Sequence, residues 1–165
     1  MRTAPECATT ATLDLRAPAF AHGGPIPPRH ASRDLGPHIS PALNWGALPE
    51  GTAQLLLVME DIDVPTSRPA VHLTALFAPD TAGFDEGELT ADNPRVRHVP
   101  GPFARTGYTG PRPLPRHGPH RYGFHLHGLD RAILTTTPLT GRTDLPALVA
   151  GHVLASGFLE GVHQG

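Results

Sequence analysis

Residues 54–65 read Gln54-Leu55-Leu56-Leu57-Val58-Met59-Glu60-Asp61-Ile62-Asp63-Val64-Pro65. The apolar run is continuous, too short for a typical helix, and bounded by polar residues, which is the pattern of a buried strand. It ends in carboxylates. After a turn rich in proline, serine and arginine, Val71-His72-Leu73-Thr74-Ala75-Leu76-Phe77 follows. A period of two sets Val71, Leu73, Ala75 and Phe77 on one face, and His72 and Thr74 on the other. A third strand is expected over Arg121 to Leu129. There His120, Tyr122, Phe124 and Leu126 share one face, and Arg121, His125, His127 and Leu129 the other.

Outward from these strands the chain is punctuated by breakers, with 20 prolines and 18 glycines in 165 residues. Proline in a helix interior costs about 3 kcal/mol, so bundles, coiled coils and solenoids are disfavoured. Residues 79–119 show no convincing element, and 94–119 alone hold seven prolines. A loop this long in a compact domain is usually functional. One helix is expected near the end. Thr143 or Asp144 would cap it and Pro146 would sit in its first turn. Leu145, Leu148, Val149 and Val153 then recur at helical spacing, with Gly157 as the stop. Residues 1–12 read as a flexible arm and 13–165 as a single mainly β domain.

All 13 basic residues are arginine, and the net charge is −2 with histidines neutral. Without lysine, Schiff-base chemistry and the Walker-type phosphate loop are excluded. Without a basic field, nucleic acid is not an expected partner. The single cysteine, Cys7, cannot form an intrachain disulfide, so no oxidising compartment is required. The opening residues lack the apolar core of a signal peptide, and no 18-residue apolar stretch suggests a membrane span. A soluble cytoplasmic protein is the expectation.

Chemistry concentrates in the 11 histidines. If the three strand ends are neighbours, Asp61, Asp63, His72, His120 and Tyr122 converge beneath the proline-rich loop. A carboxylate beside histidine favours the imidazolium, and imidazolium with a phenol makes a donor set for phosphate or carboxylate. The plainer alternative has the aspartates capping a turn and the histidines satisfying strand edges. Arg121 leaves the strand opposite to His120 and reads as a structural ion-pair donor. His125 and His127 could bind zinc or copper, but no further ligand follows at suitable spacing, and two exposed polar residues explain them as well. His152 reads as a hydrogen-bonded packing residue. No nucleophile elbow, zinc-protease motif or dinucleotide fingerprint is present.

Several short motifs occur in a fixed order. They are Pro18-Ala19-Phe20 with Ile26-Pro27, Ile39-Ser40-Pro41-Ala42-Leu43-Asn44-Trp45, Pro49-Glu50-Gly51-Thr52, Asp61-x-Asp63-x-Pro65, and His72. Tyr108-x-Gly110-Pro111, Gly118-Pro119-His120-Arg121-Tyr122 and Gly151-His152-Val153-Leu154-Ala155 complete the series. In this order the chain resembles the phosphatidylethanolamine-binding proteins, specifically the bacterial Raf kinase inhibitor-like branch, from about Pro18 to Gly161. The resemblance implies a large antiparallel sheet packed on a smaller one, with a few short peripheral helices. It also implies a small anion pocket. Carried over, that pocket would use Asp61, His72, His120 and Tyr122, with Gly110 and Pro111 from the loop and Asp63 and Pro65 in support. A cis Val64–Pro65 peptide is implied too. The chain departs from the pattern at Leu73, where bacterial members commonly carry tryptophan. It departs again at His127, where an aromatic is frequent, and at Gly161-Val162-His163, where Gly-Thr-Tyr is.

The expected function is therefore binding of a small phosphorylated or carboxylate ligand, with no cofactor and no bound metal. Two other classes stay open: a hydrolase using the aspartate–histidine cluster, metal-assisted or not, and an inhibitor of a kinase or protease acting by protein contact. A homodimer is compatible with the sequence.

Overall fold

The computed structural model describes residues 9–100, 106–133 and 145–164. Its strands are β1 (Gly24–Pro25), β2 (Leu43–Asn44), β3 (Gln54–Asp61), β4 (Ala70–Phe77), β5 (Gly83–Phe84), β6 (Val96–His98), β7 (His120–Leu129) and β8 (Val153–His163). A 3-10 turn spans Pro28–His30, and one helix, α1, spans Leu145–Val149. Six strands form one sheet in the order β1-β8-β7-β3-β4-β6, and β2 pairs with β5 in a second, two-stranded sheet. The large sheet is mixed rather than wholly antiparallel. Its edge strand β1 runs parallel to β8, where the N-terminal segment comes alongside.

The run at 54–61 is uniformly apolar because β3 is central and covered on both faces. On one side Leu55, Leu57 and Met59 join Phe77, Phe124 and Leu126 in the main core, which the small sheet closes. Phe84 of β5 meets Phe77 of β4 with ring centroids 5.0 Å apart. On the other side Leu56, Val58, Leu76 and Leu129 pack with Leu145 and Val149 of α1. That second core corrects the reading of His125 and His127 as exposed, since both are buried on the face that it occupies.

Three further expectations are corrected. The helix ends at Val149, and residues 153–163 form β8, the longest strand. Its buried positions alternate, as a strand with one face against the core requires, but Gly157 and Gly161 fill two of them. A Cβ on Gly157 would stand 2.8 Å from the Leu13 carbonyl oxygen, so the N-terminal segment lies directly on this strand. The region 79–119 does hold ordered pairing, in β5 and β6. No cis peptide occurs among the described residues, and Val64–Pro65 is trans. Thr66 N donates to Val64 O at 2.7 Å, closing a tight turn over Pro65 with that geometry. The cap at Thr143 or Asp144, and Cys7, lie outside the described residues.

Candidate functional site

The site lies where β3 ends, β4 begins and β7 begins. Asp61 pairs with Tyr122 across β3–β7 and with Ala70 across β3–β4, so three strand ends share one register. Strict alternation would turn His72 away from Asp61. A bulge prevents it: Met59 pairs with Leu73 but Glu60 pairs with Val71, leaving His72 as the extra residue. Bulges re-aim side chains in this way. Val71 consequently packs on the second core rather than on the face of Leu73, Ala75 and Phe77. His72 instead meets Tyr122 edge-on, with ring centroids 5.3 Å apart.

Asp61 and His120 are each 1% exposed and form a buried pair, His120 Nδ1 to Asp61 Oδ2 at 2.8 Å. The other oxygen, Oδ1, accepts from Asp63 N at 3.0 Å. Both oxygens of this buried carboxylate are thus engaged, which offsets the cost of burying its charge. Nε2 of His120 is buried with no hydrogen-bond partner among the described residues. Tyr122 is fully buried, and its hydroxyl accepts from Arg112 N at 3.1 Å. Burial, and then the charge of Asp61, push the Tyr122 phenol well above its ordinary value, so it stays a neutral hydroxyl.

Asp63 does different work. Its oxygens accept from Arg121 N at 2.8 Å, Nε at 2.9 Å and Nη2 at 2.7 Å. Those hydrogen bonds from Arg121 hold the Asp63 carboxyl below its ordinary value. Arg121 therefore points away from His120 and clamps the turn that carries Pro65. Half-exposed as the guanidinium is, such a pair contributes at most about 1 kcal/mol.

A cavity of about 310 Å³ opens beside this cluster, within the size range of small-ligand sites. Asp61 and His72 line it, as do Pro65, Thr109 and Arg112, and apolar wall is supplied by residues such as Val71, Leu73, Val99 and Leu114. His120 and Tyr122 adjoin it through their contacts with Asp61 and His72. Leu73 is 2% exposed and sits in the main core as well as at the cavity.

The loop is seated by a ladder of backbone contacts. His72 Nδ1 bonds to Thr109 O at 2.9 Å, Thr109 N donates to His72 O at 3.0 Å, and Tyr108 OH donates to His30 O at 2.8 Å. Ser32 N donates to Pro111 O at 3.0 Å. Gly110 faces the chain itself rather than the cavity: a Cβ there would lie 2.3 Å from His30 O and 2.5 Å from Ala31 C. Because backbone cannot yield as a side chain does, Gly110→Ala is expected to cost about 2 kcal/mol through overpacking. Thermal denaturation reads this directly, and an unchanged midpoint would show that the loop is free to shift.

Sequence reasoning missed Thr109, Arg112, Val99 and Leu114. Of these only Arg112 carried a signal, a cation directly after the Gly110-Pro111 turn. The remaining imidazoles lie elsewhere. His125 and His127 stack in parallel 6.5 Å apart, with Glu60 3.5 Å from His125 and Ser156 Oγ 2.7 Å from His127 Nδ1. His152 bonds Asp130 at 2.8 Å in the turn before β8. No group of three or more His, Cys, Asp or Glu side chains suited to hold a metal ion occurs among the described residues, and no described helix is long and apolar enough to cross a membrane.

Comparison with known proteins gives a consistent answer. A family model described as phosphatidylethanolamine-binding protein matches residues 16–164. A protein of Aquifex aeolicus named UPF0098 protein is 31% identical over 162 residues, covering 93% of this chain and 90% of its own. The crystal structure of a putative phosphatidylethanolamine-binding protein homolog, CT736, from Chlamydia trachomatis superposes with a TM-score of 0.78 at 26% identity, covering 94% of this chain and 99% of that one. That of YbcL from E. coli has the same fold, with a TM-score of 0.84 at 18% identity and the same coverage.

Proposed function

This chain belongs to the phosphatidylethanolamine-binding protein family, and from that premise we propose that it binds a small oxyanion, a phosphate or carboxylate group, at the ends of β3, β4 and β7. The observation that carries the reading is His120. It is buried, its Nδ1 is fixed by Asp61, and its Nε2 has no partner among the described residues. Buried polar atoms are rarely left unbonded, and an anion is a partner to which an Nε2–H would donate. The charge of Asp61 opposes an anion less than it would if bare, because both oxygens already accept hydrogen bonds.

Around that point His72 and the Tyr122 hydroxyl supply further polar atoms, and Asp63 and Pro65 hold the turn that positions Asp61. Gly110 and Pro111 act by seating the loop against Ala31 and Ser32, which shapes the cavity without a contact of their own. The apolar wall suits a ligand with a nonpolar part beside its anionic group, as a phosphoryl headgroup or an acylated carboxylate has.

Calorimetric titration with inorganic phosphate and with acetate tests the reading. His120→Asn keeps a polar side chain at the position but removes the buried Nε2, and it is expected to weaken phosphate binding about tenfold or more. An unchanged isotherm in a variant that melts cooperatively would remove His120 from the site.

A further inference from the structure

A second cavity adjoins the same loop. It measures about 670 Å³ and shares Thr109 and Arg112 with the first. A third opening of about 420 Å³ adjoins it through Arg33, His38, Thr106 and Tyr108. The walls of the second cavity are polar and carry charge: Arg33 and Arg112 come from two separate segments, Asp34 pairs with Arg112, and the His38 imidazole completes the group.

The balance of charge there is positive on a chain whose net charge is −2. Asp34 is already committed. It accepts from Arg112 Nε at 2.8 Å and from the Ser32 hydroxyl, and these hydrogen bonds, with Ser32 first, hold its carboxyl below the ordinary value. Arg112 is bound through Nε only, whereas Arg33 has no ion-pair partner among the described residues. The one acid in the adjoining opening is Asp92. Guanidinium groups from different segments facing one polar cavity are the arrangement that fits oxyanions, since each offers a planar fork of donors.

The backbone adds a second observation. His38 has φ of 64°, in the left-handed region that only a few per cent of non-glycine residues occupy. It is held there by Ile39, whose N–H donates to Arg29 O at 3.0 Å and whose carbonyl bonds His30 Nδ1 at 2.7 Å. The strained conformation sets the imidazole beside Tyr108, with ring centroids 5.9 Å apart, on the cavity wall. Strain of this kind persists where surrounding structure enforces it, and it gathers at ligand sites.

We propose that this cavity is a second oxyanion site, with Arg33 and Arg112 as its cationic walls and His38 as the orienting side chain. It shares Thr109 and Arg112 with the first cavity but does not rest on the His120 reading. Its ligand is a phosphate or carboxylate group of a small molecule.

Phosphorus NMR and calorimetry with inorganic phosphate on the whole chain test this, with acetate titrated in parallel to separate phosphate from carboxylate chemistry. Arg33 lines this cavity and not the first, so Arg33→Gln is the discriminating variant. It is expected to weaken one class of phosphate sites about tenfold or more and to leave the class lost in His120→Asn intact. His38→Asn, which retains a residue tolerant of the left-handed backbone, is expected to weaken the same class less. The proposal is overturned if Arg33→Gln titrates like the parent chain, whether phosphate then binds only at His120 or nowhere. Loss of binding in Arg33→Gln with none in His120→Asn would sustain this site and remove the other.

Discussion

Asp61→Ala is expected to lower stability by about 3 kcal/mol, because removing one partner of a buried pair leaves the other uncompensated. Here two donors are orphaned at once, Nδ1 of His120 and the backbone N–H of Asp63. For a chain of this size the melting temperature should fall by about 10 °C. Asp61→Asn is nearly isosteric and keeps a carbonyl oxygen for one of the two donors, so it should recover about half of the loss. The comparison separates packing from charge. If Asp61→Ala melts within about 2 °C of the parent, the carboxylate is solvated and cannot be the element that fixes His120.

Acid is expected to destabilise the chain from pH 6.5 downward, before most carboxylates titrate. Burial pushes the His127 imidazole down to about 4, with its Nδ1 bonded to Ser156 Oγ. In the unfolded chain the same ring takes a proton near its ordinary value of 6.5. The folded state therefore binds fewer protons, and its stability is fully present above pH 6.5 and lost as pH falls toward 4. The difference corresponds to about 3 kcal/mol for this one group. His30 and His98 are also held below their ordinary values, chiefly by burial, and act with the same sign. Urea unfolding at pH 7.5, 6, 5 and 4 measures the slope. His127→Gln should flatten part of it, and an identical slope in that variant would mean that the ring is hydrated in the folded chain.

How far the sequence could be read depended on what each segment packs against. β3, β4 and β7 were legible because each is at least seven residues long and carries large side chains that mark the faces. The two-residue strands β1, β2 and β5 were not, since no periodicity can show in so few positions. β8 was hidden for a different reason. Two of its inward positions are glycine, and the neighbours that require glycine there, Leu13 and Leu15 at Gly157 and Phe20 and Ile26 at Gly161, are more than 130 residues away in sequence. Without those neighbours, Leu145, Leu148, Val149 and Val153 read as one helix running into what is in fact a strand.

The candidate site divides in the same way. That Arg121 leaves β7 opposite to His120 as an ion-pair donor was legible because strand alternation sets the sides from which they project, whereas the partners, Asp63 for Arg121 and Asp61 for His120, came from the structure. The placing of His72 was not: alternation turns it away, and only the bulge opposite Met59 and Glu60 brings it to Tyr122. Gly110 likewise looked like a place for a ligand to approach, whereas the approaching group is the chain's own backbone at His30 and Ala31.

From the sequence alone came a mainly β chain of the phosphatidylethanolamine-binding pattern, the absence of lysine chemistry, and the residues from which an anion site would be built. The mainly β class and the lysine exclusion rest on local periodicity and residue type, and the family pattern with its site residues on the order of short motifs that resemble that family, all of which the segments carry by themselves. Tertiary structure decided the parallel edge strand, the β8 strand, the aim of His72, and the loop that lines two cavities. Each of these depends on close approach between segments distant in sequence, and the cost of that approach appears only once both segments are in place.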